Sequence, residues 1–235
     1  MNAHTSDNQS TERRDPMCIM NEAVSLAFAL AILIFILDSG LRYSPERRAF
    51  IVANIAVIAL SVLTTTILFV SMVFNPLEML PTRIFVALIN VAGVAVAVTF
   101  VHYVFAILID QEDEYRRTIF ISWILYGLVS ALVIYVSLTS PQITYDTLGQ
   151  RPDPYITVAP LSVLGYVLWA MTVGIRYRHR TTRSMLTIIS ALALVSVVSI
   201  LLQIHLPEVM LNSITSVFIL LVAALYLQNK KAFID

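Results

Sequence analysis

Charge is what this sequence has least of. Only 13% of its 235 residues are charged, while 58% are hydrophobic. A soluble domain usually carries about 25% charged and about 45–50% apolar residues. With a mean hydropathy of +0.82, the composition excludes a water-soluble globule, and it excludes disorder except at the two ends. Lys+Arg and Asp+Glu are equal at 15 each, so no excess charge is present to attract nucleic acid or an acidic partner. Cysteine is limited to Cys18, which excludes an intrachain disulfide.

Catalytic signatures are missing too. No Walker A loop, G-x-S-x-G elbow, H-E-x-x-H helix or cysteine pair occurs. The chain therefore reads as a non-enzyme without a cofactor. His4, His102, His179 and His205 are scattered over a tail, a span and two loops. No two have metal-ligand spacing on one helix, so a metal site would have to be assembled from distant helices. Lys230 and Lys231 are the only lysines, both beyond the last apolar run, which excludes a retinal Schiff base of the usual kind.

What the chain does have is long apolar runs. Crossing about 30 Å of hydrocarbon takes about 20 residues of helix. Seven runs qualify: 17–37, 51–74, 84–109, 119–138, 158–175, 185–203 and 210–227. The gaps hold charge, Pro or Gly, and too few residues remain for a second folded domain. The expected fold is all-α, a polytopic seven-transmembrane helix bundle. A polar tail (1–16) precedes the bundle (17–227), and a short exit segment (228–235) follows it. The first run could be a secretory signal, since Arg13 and Arg14 precede it. Its length and the lack of a small-residue cleavage site favour a retained span.

Lys and Arg concentrate in cytoplasmic loops. Arg42, Arg47, Arg48, Arg116, Arg117, Arg176, Arg178, Arg180, Arg183, Lys230 and Lys231 fall on one side; Arg13, Arg14, Arg83 and Arg151 fall on the other. The expected orientation puts the N-terminus outside and the C-terminus in the cytoplasm, in a cell (plasma or inner) membrane. Tyr43, Tyr115, Tyr177 and Tyr226 lie near the inner boundary, where aromatic residues anchor in the headgroup region.

With that orientation, polar residues of four spans gather in the outer third of the membrane. They are Glu22 (beside Asn21), Asn90, Gln203 with His205, and Asn212 (with Ser213 and Thr215), under an outer loop carrying Tyr145, Asp146, Arg151, Asp153 and Tyr155. One reading is a ligand pocket between helices, with Glu22, Asn90, Gln203, His205, Asn212 and Arg151 as its contacts. The plainer reading is interhelical hydrogen bonding and wet helix ends. His102 is the one titratable group besides tyrosine well inside a span. Its plainer role is an interhelical hydrogen bond, and pH sensing is the alternative. The inner loops Asp110–Arg117 and Arg176–Arg180 are charged, which suits anionic lipid or, less simply, a docking partner. Asp and Glu avoid the span centres, which argues against a charge-lined transport path. Pro141-Gln142 occurs once and no internal repeat is visible, unlike a PQ-loop carrier.

The C-terminal third carries a more specific pattern. Arg151-Pro-Asp-Pro-Tyr155 enters span five, which ends in Arg176-Tyr-Arg-His-Arg180. Span six ends in Leu201-Leu-Gln-Ile-His-Leu-Pro207. Span seven ends in Ala224-Leu-Tyr-Leu-Gln-Asn229, followed by Phe233-Ile-Asp235. This resembles the N-terminal seven-transmembrane sensor module of bacterial diguanylate cyclases (GGDEF proteins) and the similar input domain of histidine kinases. In the cyclases a similar exit leads to the Asp of a D-x-L-T-G segment, which Asp235 matches. The resemblance implies a module that relays an extracytoplasmic or intramembrane stimulus to a cytoplasmic output. Tyr226, Gln228 and Asn229 would be the relay, and an unidentified small molecule the stimulus. It also implies a cytoplasmic effector domain or protein as partner, with a homodimer left open. No cyclase or kinase domain lies within these residues. The chain is then either an input module cut off from its effector or a stand-alone protein signalling to another. A small-solute transporter and a purely structural membrane subunit are the alternative readings.

Overall fold

A computed structural model of the chain describes residues 15–39, 44–73, 79–109, 111–139, 158–177, 183–205 and 211–232. Among these residues there are seven helices and no strands. The helices are α1 (Asp15–Asp38), α2 (Pro45–Val73), α3 (Met79–Leu108), α4 (Glu112–Thr139), α5 (Val158–Arg176), α6 (Arg183–His205) and α7 (Leu211–Ala232). Five of them, α1 to α5, are long and apolar enough to cross a membrane. In α6 and α7 the apolar segments among the described residues are shorter, Ile189–Leu202 and Thr215–Leu227. The chain is thus an all-α protein with the build of a multi-pass membrane protein.

Several helix ends have a local cause. α2 opens on Ser44-Pro45-Glu46. The Ser44 Oγ accepts a hydrogen bond from the Arg47 backbone N–H at 3.2 Å, a helix N-cap. Proline suits the next position and an acid the first turn. α4 opens on Glu112, Asp113 and Glu114, whose charges favour the positive end of the helix dipole. Two arginines close neighbouring helices. The Arg47 guanidinium donates to the Ile36 and Leu37 carbonyls at 3.2 and 3.3 Å, capping α1. Arg83 donates to the Leu138 carbonyl at 3.2 Å, capping α4. Both satisfy carbonyls that a helix end leaves orphaned.

The helices form a closed ring. α1 packs on α2 and α7, α2 on α3 and α7, α3 on α4 and α5, α5 on α6, and α6 on α7. α4 sits outside this ring against α3, with only slight contact to α5. In the apolar segment of α3, 44% of residues are buried, but in that of α4 only 11%. The outward face of α4 (Phe120, Ile124, Leu128, Tyr135) is exposed and apolar, as a lipid-facing surface would be. Two apolar clusters meet along α3. One joins α1, α2, α3 and α7 through Ile32, Phe50, Val57, Tyr103, Leu220 and Ala223. The other joins α3, α5 and α6 through Val98, Phe105, Tyr166, Val173, Tyr177 and Ile189.

Candidate functional site: a buried polar column between α1 and α2

Four polar residues break the apolar interior between α1 and α2. Glu22 and Ser25 lie on α1, only 1% and 2% exposed, and Asn54 and Ser61 on α2 are wholly buried. The pattern along each helix shows which way they face. On α1 the buried residues Glu22, Ser25, Ala29, Ile32 and Ile36 recur every three or four positions, a single interior stripe. On α2, Arg47, Asn54 and Ser61 are spaced by seven and lie on one line along the helix. Arg47 on that line reaches α1, and Phe50, about 40° around the helix from Asn54, packs on Tyr103 of α3.

Cross-helix contacts fix the heights. Starting from the Arg47–Ile36 contact, Ser61 and Glu22 are each fourteen residues away along their own helices. At 1.5 Å per residue both stand about 21 Å above that contact. This is about two thirds of the way across a 30 Å hydrocarbon core, if the contact marks one boundary. Phe50 and Tyr103 pack edge to face, with ring centroids 5.8 Å apart, which puts Asn90 about one turn from the height of Ser61. The Tyr103 hydroxyl donates to the Ala223 carbonyl at 3.3 Å, and by the same count the Asn212 backbone on α7 is level with Ser61. Ser199 and Thr215, hydrogen-bonded at 2.7 Å, bring the Gln203 backbone on α6 to the same region.

Counted along their helices from these contacts, the backbones of Glu22, Asn90, Gln203 and Asn212 fall towards the same end of the bundle. Glu22 is buried and Asn90 half-buried. The side chains of Gln203, His205 and Asn212 lie outside the described residues, as do Arg151 and the outer-loop residues Tyr145, Asp146, Asp153 and Tyr155.

Most hydroxyls in the helices satisfy themselves. Thr64, Thr65, Thr66, Thr118 and Thr172 donate to the carbonyl four residues back, at 2.7–2.9 Å, and Thr99 to the carbonyl three back at 2.9 Å. This local bonding is how a threonine meets its needs inside a helix. The column behaves differently. The Ser25 and Ser61 hydroxyls and both amide atoms of Asn54 have no hydrogen-bond partner in the protein. Unmet buried polar groups cost about 1–3 kcal/mol each, and native structures normally satisfy them with protein or water. Sequence reading passed over Ser25, Asn54 and Ser61. The signal was there in the seven-residue spacing of Arg47, Asn54 and Ser61 along α2.

A second polar group, between α3, α4 and α5, is fully paired. His102 Nε2 is hydrogen-bonded to Ser122 Oγ at 2.9 Å, the interhelical bond expected of it. The Tyr166 hydroxyl donates to the Ser122 carbonyl at 3.2 Å. His102–Trp123 and Phe105–Trp169 ring pairs surround them at 5.4 and 5.3 Å.

Tyr115, Tyr177 and Tyr226 pack into the α3–α5–α6 cluster, towards the interior of the bundle. Arg176 approaches Glu114 at 3.8 Å, joining the end of α5 to the start of α4. Tyr226 is half-buried, while the side chains of Gln228 and Asn229 lie outside the described residues although their backbone continues α7. Among the described residues no group of three or more His, Cys, Asp or Glu is placed to hold a metal ion. In comparisons with known proteins, neither a family model nor a curated protein matches the chain.

Proposed function

We propose that the chain is a membrane-embedded signal-input module. It passes an extracytoplasmic or intramembrane stimulus to a cytoplasmic output of the cyclase or kinase type. The N-terminus lies outside, all seven helices span the membrane, and the C-terminus lies in the cytoplasm. The orientation is supported by the segregation of Arg and Lys, eleven of fifteen on one side. The observation that carries the reading is the placement of α7. Leu220, Ala223, Ala224 and Leu227 pack in the α1–α2 cluster, while Tyr226 packs on the α3–α5 cluster. α7 then continues past its apolar segment to Ala232. A change in how either half packs is felt by one helix, and that helix is the one leading to the exit. A stimulus shifts the balance between packings only as far as it binds them unequally.

The test is a fusion of the chain at Asp235 to a diguanylate cyclase output domain. One alanine inserted after Leu227 turns the exit by about 100°, and seven bring it back to within about 20° of phase. The expected result is a changed cyclic dinucleotide output with one and restoration with seven. An output indifferent to the single insertion overturns the relay. A small-solute carrier is the second reading, favoured by the unpaired polar column. It predicts solute flux in proteoliposomes, where a relay gives none.

A further inference from the structure

The geometry points to Tyr103 as a positioning residue that sets the height and rotation of the exit helix α7. Its role in signalling rests on the relay reading, while its hold on α7 is measured apart from it. α3 is the helix along which both apolar clusters meet. Its backbone does not pack closely on α7, which rests on α1, α2 and α6. A long side chain crosses that gap. The Tyr103 hydroxyl donates to the Ala223 carbonyl at 3.3 Å, and both residues are buried. Tyr103 is itself held from α2, where Phe50 packs edge to face on its ring. Glu46 of α2 and Tyr226 of α7 lie near enough to act electrostatically on the Tyr103 hydroxyl. Three helices thus converge on one hydroxyl.

Such a bond does what apolar packing does not. Leu220, Ala223, Ala224 and Leu227 seat α7 in the α1–α2 cluster, but apolar contacts are non-directional. Hydrogen bonds weaken steeply once their angle is lost. The Ala223 carbonyl is a single point on the surface of α7. A slip of one residue carries the next carbonyl about 1.5 Å along the axis and about 100° around it. Small side chains at Ala223 and Ala224 leave the backbone open to the phenol. The carbonyl lies one turn before Leu227, where the apolar segment of α7 ends. Holding it there sets how the exit segment leaves the bundle. A stimulus that moves α3, or the start of α2, reaches the exit through this hydroxyl. Tyr166 makes a matched bond elsewhere. Its hydroxyl donates to the Ser122 carbonyl at 3.2 Å, which ties α5 to α4 rather than to α7.

The experiment compares Tyr103→Phe with Tyr166→Phe, each of which removes one hydroxyl and keeps the ring. Both are made in the full chain in nanodiscs and in the cyclase fusion. Hydrogen–deuterium exchange, read by mass spectrometry, follows the backbone amides of residues 220–232 at the end of α7. Tyr103→Phe should speed exchange there roughly three- to tenfold. It should also shift the cyclic dinucleotide output of the fusion by a factor of about three or more. Tyr166→Phe should change neither. Exchange that stays at the wild-type rate in Tyr103→Phe overturns the proposal, and so does an equal effect of Tyr166→Phe. Faster exchange with unaltered output overturns it as well, when the single alanine after Leu227 does alter that output. If that insertion has no effect, the relay reading falls by itself, and exchange alone decides whether Tyr103 positions α7.

Discussion

The two halves of the bundle share α3 but differ in how far they pair their buried polar groups, with Ser130 on α4 the open hydroxyl of the better-paired half. Between α3, α4 and α5, His102, Ser122 and Tyr166 pair with one another, and aromatic rings close around them. Between α1 and α2, Ser25, Asn54 and Ser61 are just as deeply buried and have no partner in the chain. Both sets lie in helices of similar apolar character, so hydrophobicity does not separate them. Satisfaction does. A paired network fixes helices in one arrangement, and an open one leaves room for water or a ligand. The α3–α5 half is thus the more fully hydrogen-bonded one, and the α1–α2 half holds more of the open groups.

Three substitutions probe this contrast, measured by thermal unfolding in detergent. The largest effect is expected from Phe50→Ala, which empties a wholly buried ring site in the α1–α2–α3–α7 cluster. In membranes the apolar transfer term is small and packing carries the association, so the loss should be roughly 2–4 kcal/mol. A loss below about 0.5 kcal/mol would show that this half is loosely packed. Next comes Ser122→Ala, which strips His102 of its hydroxyl partner and should cost about 1 kcal/mol. The smallest is Ser61→Ala. It removes a hydroxyl without a protein partner and should leave stability within about 0.5 kcal/mol of wild type. If Ser61→Ala cost as much as Ser122→Ala, the two halves would not differ as described.

Helix positions were largely legible, because a membrane span is recognised by length and apolarity alone. The run 84–109 corresponds to α3, Met79–Leu108, and 158–175 to α5, Val158–Arg176. Helix ends were less so. The run beginning at 119 belongs to a helix that starts at Glu112, since acids in a first turn are favourable although they are not apolar. Apolar runs mark the lipid, not the helix. The faces were illegible for a related reason. α4 is apolar both where it buries Val133 and Val136 and where it exposes Phe120 and Leu128, so periodicity gives no stripe to read. His102 stands out in the sequence as the one titratable group besides tyrosine well inside a span, but its partner Ser122 is twenty residues away on α4. The column was missed because serine and asparagine resemble the many self-satisfied hydroxyls, and only the fold distinguishes a bonded one from an open one.

The contact between α1 and α7 joins the first of the described helices to the seventh. During synthesis α1 enters the membrane with Glu22 and Ser25 on its inner stripe. α2 follows at once and, through Arg47, locks onto its end. The other flank of α1 has no helix to cover it until the ribosome has produced α7. The ring therefore closes only when α7 docks on α1 and α6. Cutting the chain before α7 would leave that flank of α1 uncovered.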